Sequence, residues 1–324
     1  MRRRGLLALL APLTAGCLGG IEVSREGAQS VPEDRSETTP APERGANATA
    51  TPTPDTPSDS EPTPAPGADE RTAARRLRVA EESLAAAVSA FGEGQGVADV
   101  TADEAFVARD VYVELVRASG AVDEARALAR TESQVERARA LSGVVAFLSH
   151  ATAGQAAIAA GHEAIVDVPE ALRDGNVGRA RALVDEFGTH RRETERAASR
   201  VRSRSDDADV EATDVVADDA RRLKLAQFDA AVTALGDATQ PARSLITGVD
   251  RLIEARSALT DDSYDDASSF ANDAEVVLDE AESDLSTLAD DLSAEAAAFV
   301  DAIDRLATYA GNRATEAADI RRNY

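Results

Sequence analysis

From Tyr264 to Leu292 the chain repeats one pattern: Tyr264, Ala267, Ala271, Ala274, Leu278, Ala281, Leu285, Leu288 and Leu292 follow each other at alternating steps of three and four. Such spacing puts all nine on one side of a helix, a seam of the coiled-coil kind. A weaker version runs Val177, Ala180, Val184, Phe187, then Ala198 and Val201, with Arg191 and Thr194 intruding. The stretches 189–235 and 249–310 contain neither Gly nor Pro, so little interrupts a helix there. Aromatics make up 3% of the chain and Trp is absent, while much of the apolar fraction is Ala. Ala favours helix and buries little surface, so the core must come from helices that approach closely. An elongated antiparallel bundle, all-α, is expected over 71–324.

Helices are predicted over 71–91, 102–118, 122–150, 155–172, 177–204, 213–236, 242–259 and 264–321, the last with a break near Ser293. Thr101 with Glu104, and Ser263 with Asp266, have capping-box spacing. Sliding the chain by 87 residues lays 141–187 on 228–274 without a gap. Leu148 then meets Leu235, Ala151-Thr152 meets Ala238-Thr239, Gly161 meets Gly248, and Ala171-Leu172-x-Asp174 meets Ala258-Leu259-x-Asp261. The match predicts an internal duplication, 137–205 and 224–292. Each unit would hold three antiparallel helices, breaking at Gly154 or Pro241 and again at Gly175 or Asp262.

The first seventy residues differ in kind. Arg2, Arg3 and Arg4 precede a short apolar run from Leu6 to Leu13, then Thr14, Ala15, Gly16 and Cys17. Eight apolar residues span about 12 Å as a helix, far less than a bilayer core of roughly 30 Å, so 1–16 reads as a signal peptide. Residues 17–70 hold most of the prolines, with Thr, Ser and acids, and little that can be buried; a disordered tether is expected. Asn47-Ala48-Thr49 is a glycosylation sequon. Cys17 is the one cysteine, which excludes an intramolecular disulfide and a cysteine metal site.

Ala15, Gly16 and Cys17 resemble the end of lipoprotein signal sequences, although Leu13 stands four residues before the Cys where Leu usually stands three before it. That resemblance implies a lipid on Cys17 and an extracytoplasmic protein anchored to the cell membrane. The arginine run also resembles a twin-arginine signal, which leaves the export route open between the two systems. Acidic residues outnumber basic ones 59 to 35, the net charge is −24, and Lys224 is the only lysine. This acidic, Lys-poor composition resembles secreted proteins of salt-loving archaea. Concentrated salt would screen the self-repulsion, the Debye length falling to roughly 3 Å at 1 M. Nucleic-acid binding is disfavoured, because it needs a basic footprint.

No catalytic, cofactor or metal motif emerges. His150, His162 and His190 lack metal-ligand spacing, and each reads as an ordinary surface or core histidine. Asp261-Asp262-Ser263-Tyr264-Asp265-Asp266 lacks the glycine and the terminal Glu of a calcium loop, and Asp207, Asp209 and Glu211 read as a solvated acidic connector. The function expected is a helical protein-interaction or scaffold module at the cell surface, without enzymatic activity. The alternative is a helical bundle that binds a small ligand or metal ion, similar in topology alone to metal-binding phosphate-regulatory bundles. Convergent acids in a pocket would favour the alternative; a groove or apolar stripe would favour the first.

Overall fold

A computed structural model describes residues 67–92, 96–217 and 219–324. The signal peptide, Cys17, Asn47 and nearly all of the tether lie outside these residues. The fold is an all-α bundle: α1 Ala68–Gly92, α2 Ala108–Leu128, α3 Glu132–Arg173, α4 Val177–Arg204, the short α5 Asp207–Glu211, α6 Ala220–Thr260, α7 Tyr264–Asp291, a 3-10 segment Ala294–Phe299, and α8 Val300–Asn323. No strand occurs among the described residues.

Successive helices pack on each other: α1 on α2, α3 on α4, α6 on α7, and α7 on α8, with short turns joining α3 to α4 and α6 to α7. Between the central hairpins α4 packs against α6, and the ion pairs Arg181–Asp250 and Arg202–Asp229 fix these two as antiparallel. Helix α3 runs parallel to α6, with Gly154 facing Phe228 and Gly161 facing Leu235. A Cβ at Gly154 would stand 2.4 Å from the Phe228 ring, and one at Gly161 would stand 2.9 Å from Leu235. At Gly154 and Gly161, two turns apart, α3 therefore offers bare backbone on which Phe228 and Leu235 of α6 rest. Phe147, Phe187, Phe228 and Phe299 are fully buried among many alanines, which is how a chain poor in aromatics fills a core.

The breaks expected at Gly154 and Pro241 do not exist. Helix α3 passes through Gly154 and α6 through Pro241, so each unit is a two-helix hairpin, not three helices. Gly154 is a close-approach residue. Pro241 removes one ladder bond, but the carbonyl it orphans belongs to the exposed Asp237, where water can take it. Continuity of the buried faces on either side outweighs the local cost. The expected turn at Ser119-Gly120 is likewise absent, since α2 runs through it. The chain turns instead at 129–131, where Thr131 caps α3 by accepting from the Gln134 amide while Gln134 Oε1 accepts from Arg130 N at 3.1 Å. Thr101 caps no helix: its hydroxyl donates to Asp103 at 2.6 Å, and α2 begins only at Ala108. Ser263 does precede α7, without a side-chain cap bond.

The α3–α4 and α6–α7 turns repeat each other bond for bond at an offset of 87. Asn176 N donates to Ala171 O at 2.8 Å, and Ser263 N donates to Ala258 O at 2.8 Å; Gly175 N donates to Leu172 O, and Asp262 N to Leu259 O. Gly175 and Asp262 both take positive φ, 70° and 57°. This is the Schellman ending of a helix. Deep in the hairpins Thr152 donates to Leu148 O and Thr239 to Leu235 O. Helices α4 and α7 are each 28 residues long and begin 87 residues apart.

The seam of α7 is buried from Ala267 to Leu285. Its ends deviate: Tyr264 is exposed and stacks on Tyr324, while Ala289 turns inward in place of the half-buried Leu288 and Leu292. A straight helix drifts about 20° per heptad from a strict seven-residue repeat, and four heptads carry the last leucines to the edge of the interface. The chain leaves the helix at Leu292-Ser293, where the break was expected.

Candidate functional site

The only lysine of the chain is wholly buried where the α1–α2 connection meets α3 and α6. Lys224 Nζ donates to Val100 O at 3.0 Å, Gln155 Oε1 at 2.6 Å and Gln227 Oε1 at 2.9 Å. Gln155 Nε2 in turn donates to Thr101 O and Gln227 Nε2 to Ala98 O. The Phe91 and Phe228 rings lie 5.3 and 5.9 Å from the nitrogen. Three protons meet three neutral oxygens, and the ammonium ties residues 98–101 to two long helices. Burial pulls the lysine down to about 7, against an opposing pull from Glu104 and Asp99. No fraction of Nζ reaches solvent, so this is a lock, not a nucleophile. Its counterpart 87 residues earlier is Arg137, which binds Glu81 of α1 at 2.8 Å and Ala212 O at 2.7 Å.

Each central hairpin carries an open groove between its two helices. The α3–α4 groove, about 400 Å³, is floored by Ala153, Ala156, Ala157, Ala160 and Ala197 and edged by His150, His190, Glu193, Arg196 and Arg200. Arg196, Arg200 and Arg204 follow at steps of four on exposed α4 surface, and their guanidinium groups make no ion pair or hydrogen bond with the described residues. Burial, then Arg200 and Arg204, hold His150 below the usual imidazole value. His190 faces Glu193 at 3.1 Å. Helix α4 holds eight arginines against four carboxylates, in a protein where acids dominate.

The α6–α7 groove, about 760 Å³, has Ala226, Ala230, Leu288 and Leu292 inside and Asp229, Asp237, Asp284, Asp291 and Glu295 around it. Helix α7 holds ten carboxylates and no basic residue. The two grooves share positions: His150 corresponds to Asp237, Ala197 to Asp284, and Arg200 to Thr287. One frame thus carries a cationic groove and an anionic one.

Three of the acids singled out in the sequence are held by arginines or by a turn. Asp207 and Asp209 lie on α5, not in an open connector: Asp207 pairs with Arg221 at 2.7 Å, and Asp209 sits over Gly143 near Arg139. Arg221 also donates to Val201 O and Ser205 O, closing the C-terminal end of α4. Asp262 accepts from the Tyr264 hydroxyl. His162 packs edge-on to Phe299 at 5.8 Å, and burial holds it below its usual value. Among the described residues no three His, Cys, Asp or Glu side chains come close enough to share a metal ion. An apolar patch, Tyr112, Val113 and Val116, lies exposed on α2. Helix α3 is long and apolar enough by composition to cross a membrane, yet 56% of that window is buried by other helices.

Sequence reasoning recorded Lys224 only as a count; the usable signal was that every other basic residue is arginine. The cationic groove was legible as arginine density on 177–204, of which only Arg191 was noticed, as an interruption of the seam. No family model, curated protein or solved structure matches this chain.

Proposed function

We propose that the chain is an extracytoplasmic helical interaction module, held to the cell membrane by a lipid on Cys17 and the tether of 17–70. The observation that carries this reading is the α3–α4 groove. Arg196 and Arg200 edge its alanine floor, with Arg204 one turn beyond, and none of the three guanidinium groups has a partner among the described residues, in a chain with carboxylates in excess. An arginine whose neighbours could have neutralised it, left free beside a concave apolar strip, suits a partner that supplies both carboxylates and small apolar side chains, as a helix laid in a groove does. Stacked hairpins present such surfaces without chemistry of their own. The acidic surface suits a molecule that works in concentrated salt.

A photoreactive residue in place of Ala153, in the full chain in its own membrane, tests this. It should yield an adduct with a macromolecule, lost when Arg200 and Arg204 are both changed to Glu, while the same probe at Glu82 of α1 yields none. Equal adducts at both positions would sink the reading. Replacing Cys17 with Ser should release the exported protein from membranes, and retention after a high-salt wash would remove the lipid from the proposal.

A further inference from the structure

We infer that the partner of the cationic α3–α4 groove is the anionic α6–α7 groove of a second copy of this chain. The inference rests on the interaction reading above and names its occupant. Both surfaces are built on the same hairpin frame, 87 residues apart; one is edged by Arg196 and Arg200, the other by Asp229, Asp237, Asp284, Asp291 and Glu295. Along α4 the guanidinium groups of Arg196, Arg200 and Arg204, without partners among the described residues, recur every four residues, about 6 Å apart in rise. On α7 the exposed carboxylates of Glu280, Asp284 and Asp291 share one face, and Glu280 and Asp284 have the same four-residue spacing, so two arginines at a time can meet two carboxylates when the helices run antiparallel.

The chain already uses this contact internally. Helix α4 lies antiparallel to α6, with Arg202 on Asp229, itself an edge residue of the anionic groove. A second copy's α4 would reach the same groove from its α7 side, placing the stems of its arginines over Leu288 and Leu292. Arginine suits the position, because its apolar stem covers leucine while its planar head binds carboxylate with two bonds.

The two patches are different surfaces of one molecule, so the contact is heterologous: a dimer leaves one groove of each sign free, and further copies add until a ring closes or a filament grows. Salt acts twice. Whole chains of charge −24 repel over long range at low ionic strength, whereas contact pairs that exclude water are screened less. Association should therefore be greatest at intermediate salt and weaken in molar salt without disappearing.

Sedimentation velocity of the purified full chain in about 0.15 M potassium chloride, a Debye length near 8 Å, tests the inference. Species larger than a dimer should grow with concentration. Arg200→Asp with Arg204→Asp should weaken association by about a hundredfold, since like charges then meet, and Asp284→Arg with Asp291→Arg should do the same. Mixing the two reversed chains should restore it, which also shows that both fold. A chain that stays monomeric throughout overturns the inference, and so does an oligomer indifferent to both reversals, which would shift attention to the apolar patch on α2. A monomer whose Ala153 probe still captures another protein would refute the second copy while leaving the proposed function standing.

Discussion

The α3–α4 and α6–α7 hairpins share helix lengths, turn hydrogen bonds and a positive-φ residue at the same place, yet one is rimmed by arginine and the other by aspartate. What is held in common is buried or bonded to backbone: the Schellman turn, the Thr152 and Thr239 hydroxyls, the glycines that admit a neighbour. Most of the charge that differs faces water. The hairpin is therefore specified by a small set of interior and turn positions, and the outer faces of α4 and α7 are free to carry opposite charge at little cost to folding.

The separation of frame from surface breaks if corresponding substitutions in the two hairpins have equal effects. The largest contrast should come from Leu278, wholly buried against the Gly248 backbone, and its counterpart Arg191, which is exposed. Leu278→Asp puts an unpaired charge in a packed interface and should cost upwards of about 4 kcal/mol, whereas Arg191→Asp should stay within about 0.5 kcal/mol. Denaturant midpoints of the two variants decide it.

Lys224 and Arg137 come next. Lys224→Ala leaves Val100 O, Gln155 Oε1 and Gln227 Oε1 without their shared donor and should cost about 3 kcal/mol. Arg137→Ala removes a half-exposed pair and should cost about 1 kcal/mol. Comparable losses in chemical denaturation would show that the first hairpin depends on its arginine as the second does on its lysine.

The same lysine gives a pH signature. Its folded-state value, about 7, lies below the ordinary 10.5, so between these limits the unfolded chain binds the proton and the native state does not. Stability from this group should rise with pH from 7 toward 10. The melting temperature of the wild type relative to Lys224→Met should climb between pH 7 and 9, and a flat difference would mean that the buried amine keeps its proton. Below neutrality His150 and His162 act in the same direction: both are held below 6.5, the unfolded chain protonates first, and stability falls as pH drops through 6.5. His150→Gln should lessen that fall, and His162→Gln should do so independently.

The smallest contrast lies in the turns. Gly175 and Asp262 occupy the same left-handed position, where a side chain is strained. Asp262→Gly should stabilise by about 0.5 kcal/mol and Gly175→Asp should destabilise by about 1 kcal/mol, both measurable as midpoint shifts. Opposite signs would show that the carboxylate bond from Tyr264 outweighs the backbone strain.

Much of the frame was legible before the coordinates. The bounds of α4, the buried stretch of the α7 seam, the turns at 175 and 262 and the break after Leu292 all follow from periodicity and local breakers, which act over a few residues. What failed was continuity. Whether Gly154 or Pro241 ends a helix depends on what packs against it, and Phe228 over Gly154 is a contact between residues 74 positions apart. The start of α2 failed for a related reason: residues 98–101 give their carbonyls to Lys224, Gln155 and Gln227, far along the chain, instead of to a helix. Of the candidate site, the arginine excess on α4 was visible but its direction was not. The seam pattern fixed which residues turn inward, and only the position of α3 determined which arginines border a groove.

A chain with one lysine, and that lysine sealed in the core, has a built-in reporter of its own opening. Acylating reagents attack the neutral amine, and burial holds Lys224 close to neutrality at physiological pH; what protects it is access alone. The rate at which a small amine-reactive ester marks residue 224 therefore reports how often residues 98–101 lift from α3 and α6, and at saturating reagent it becomes the opening rate itself, measurable in crude membranes by the mass of a single peptide and unclouded by any other lysine. The same enclosure keeps the residue from lysine-directed proteases and from enzymes that modify lysine for as long as the bundle is closed.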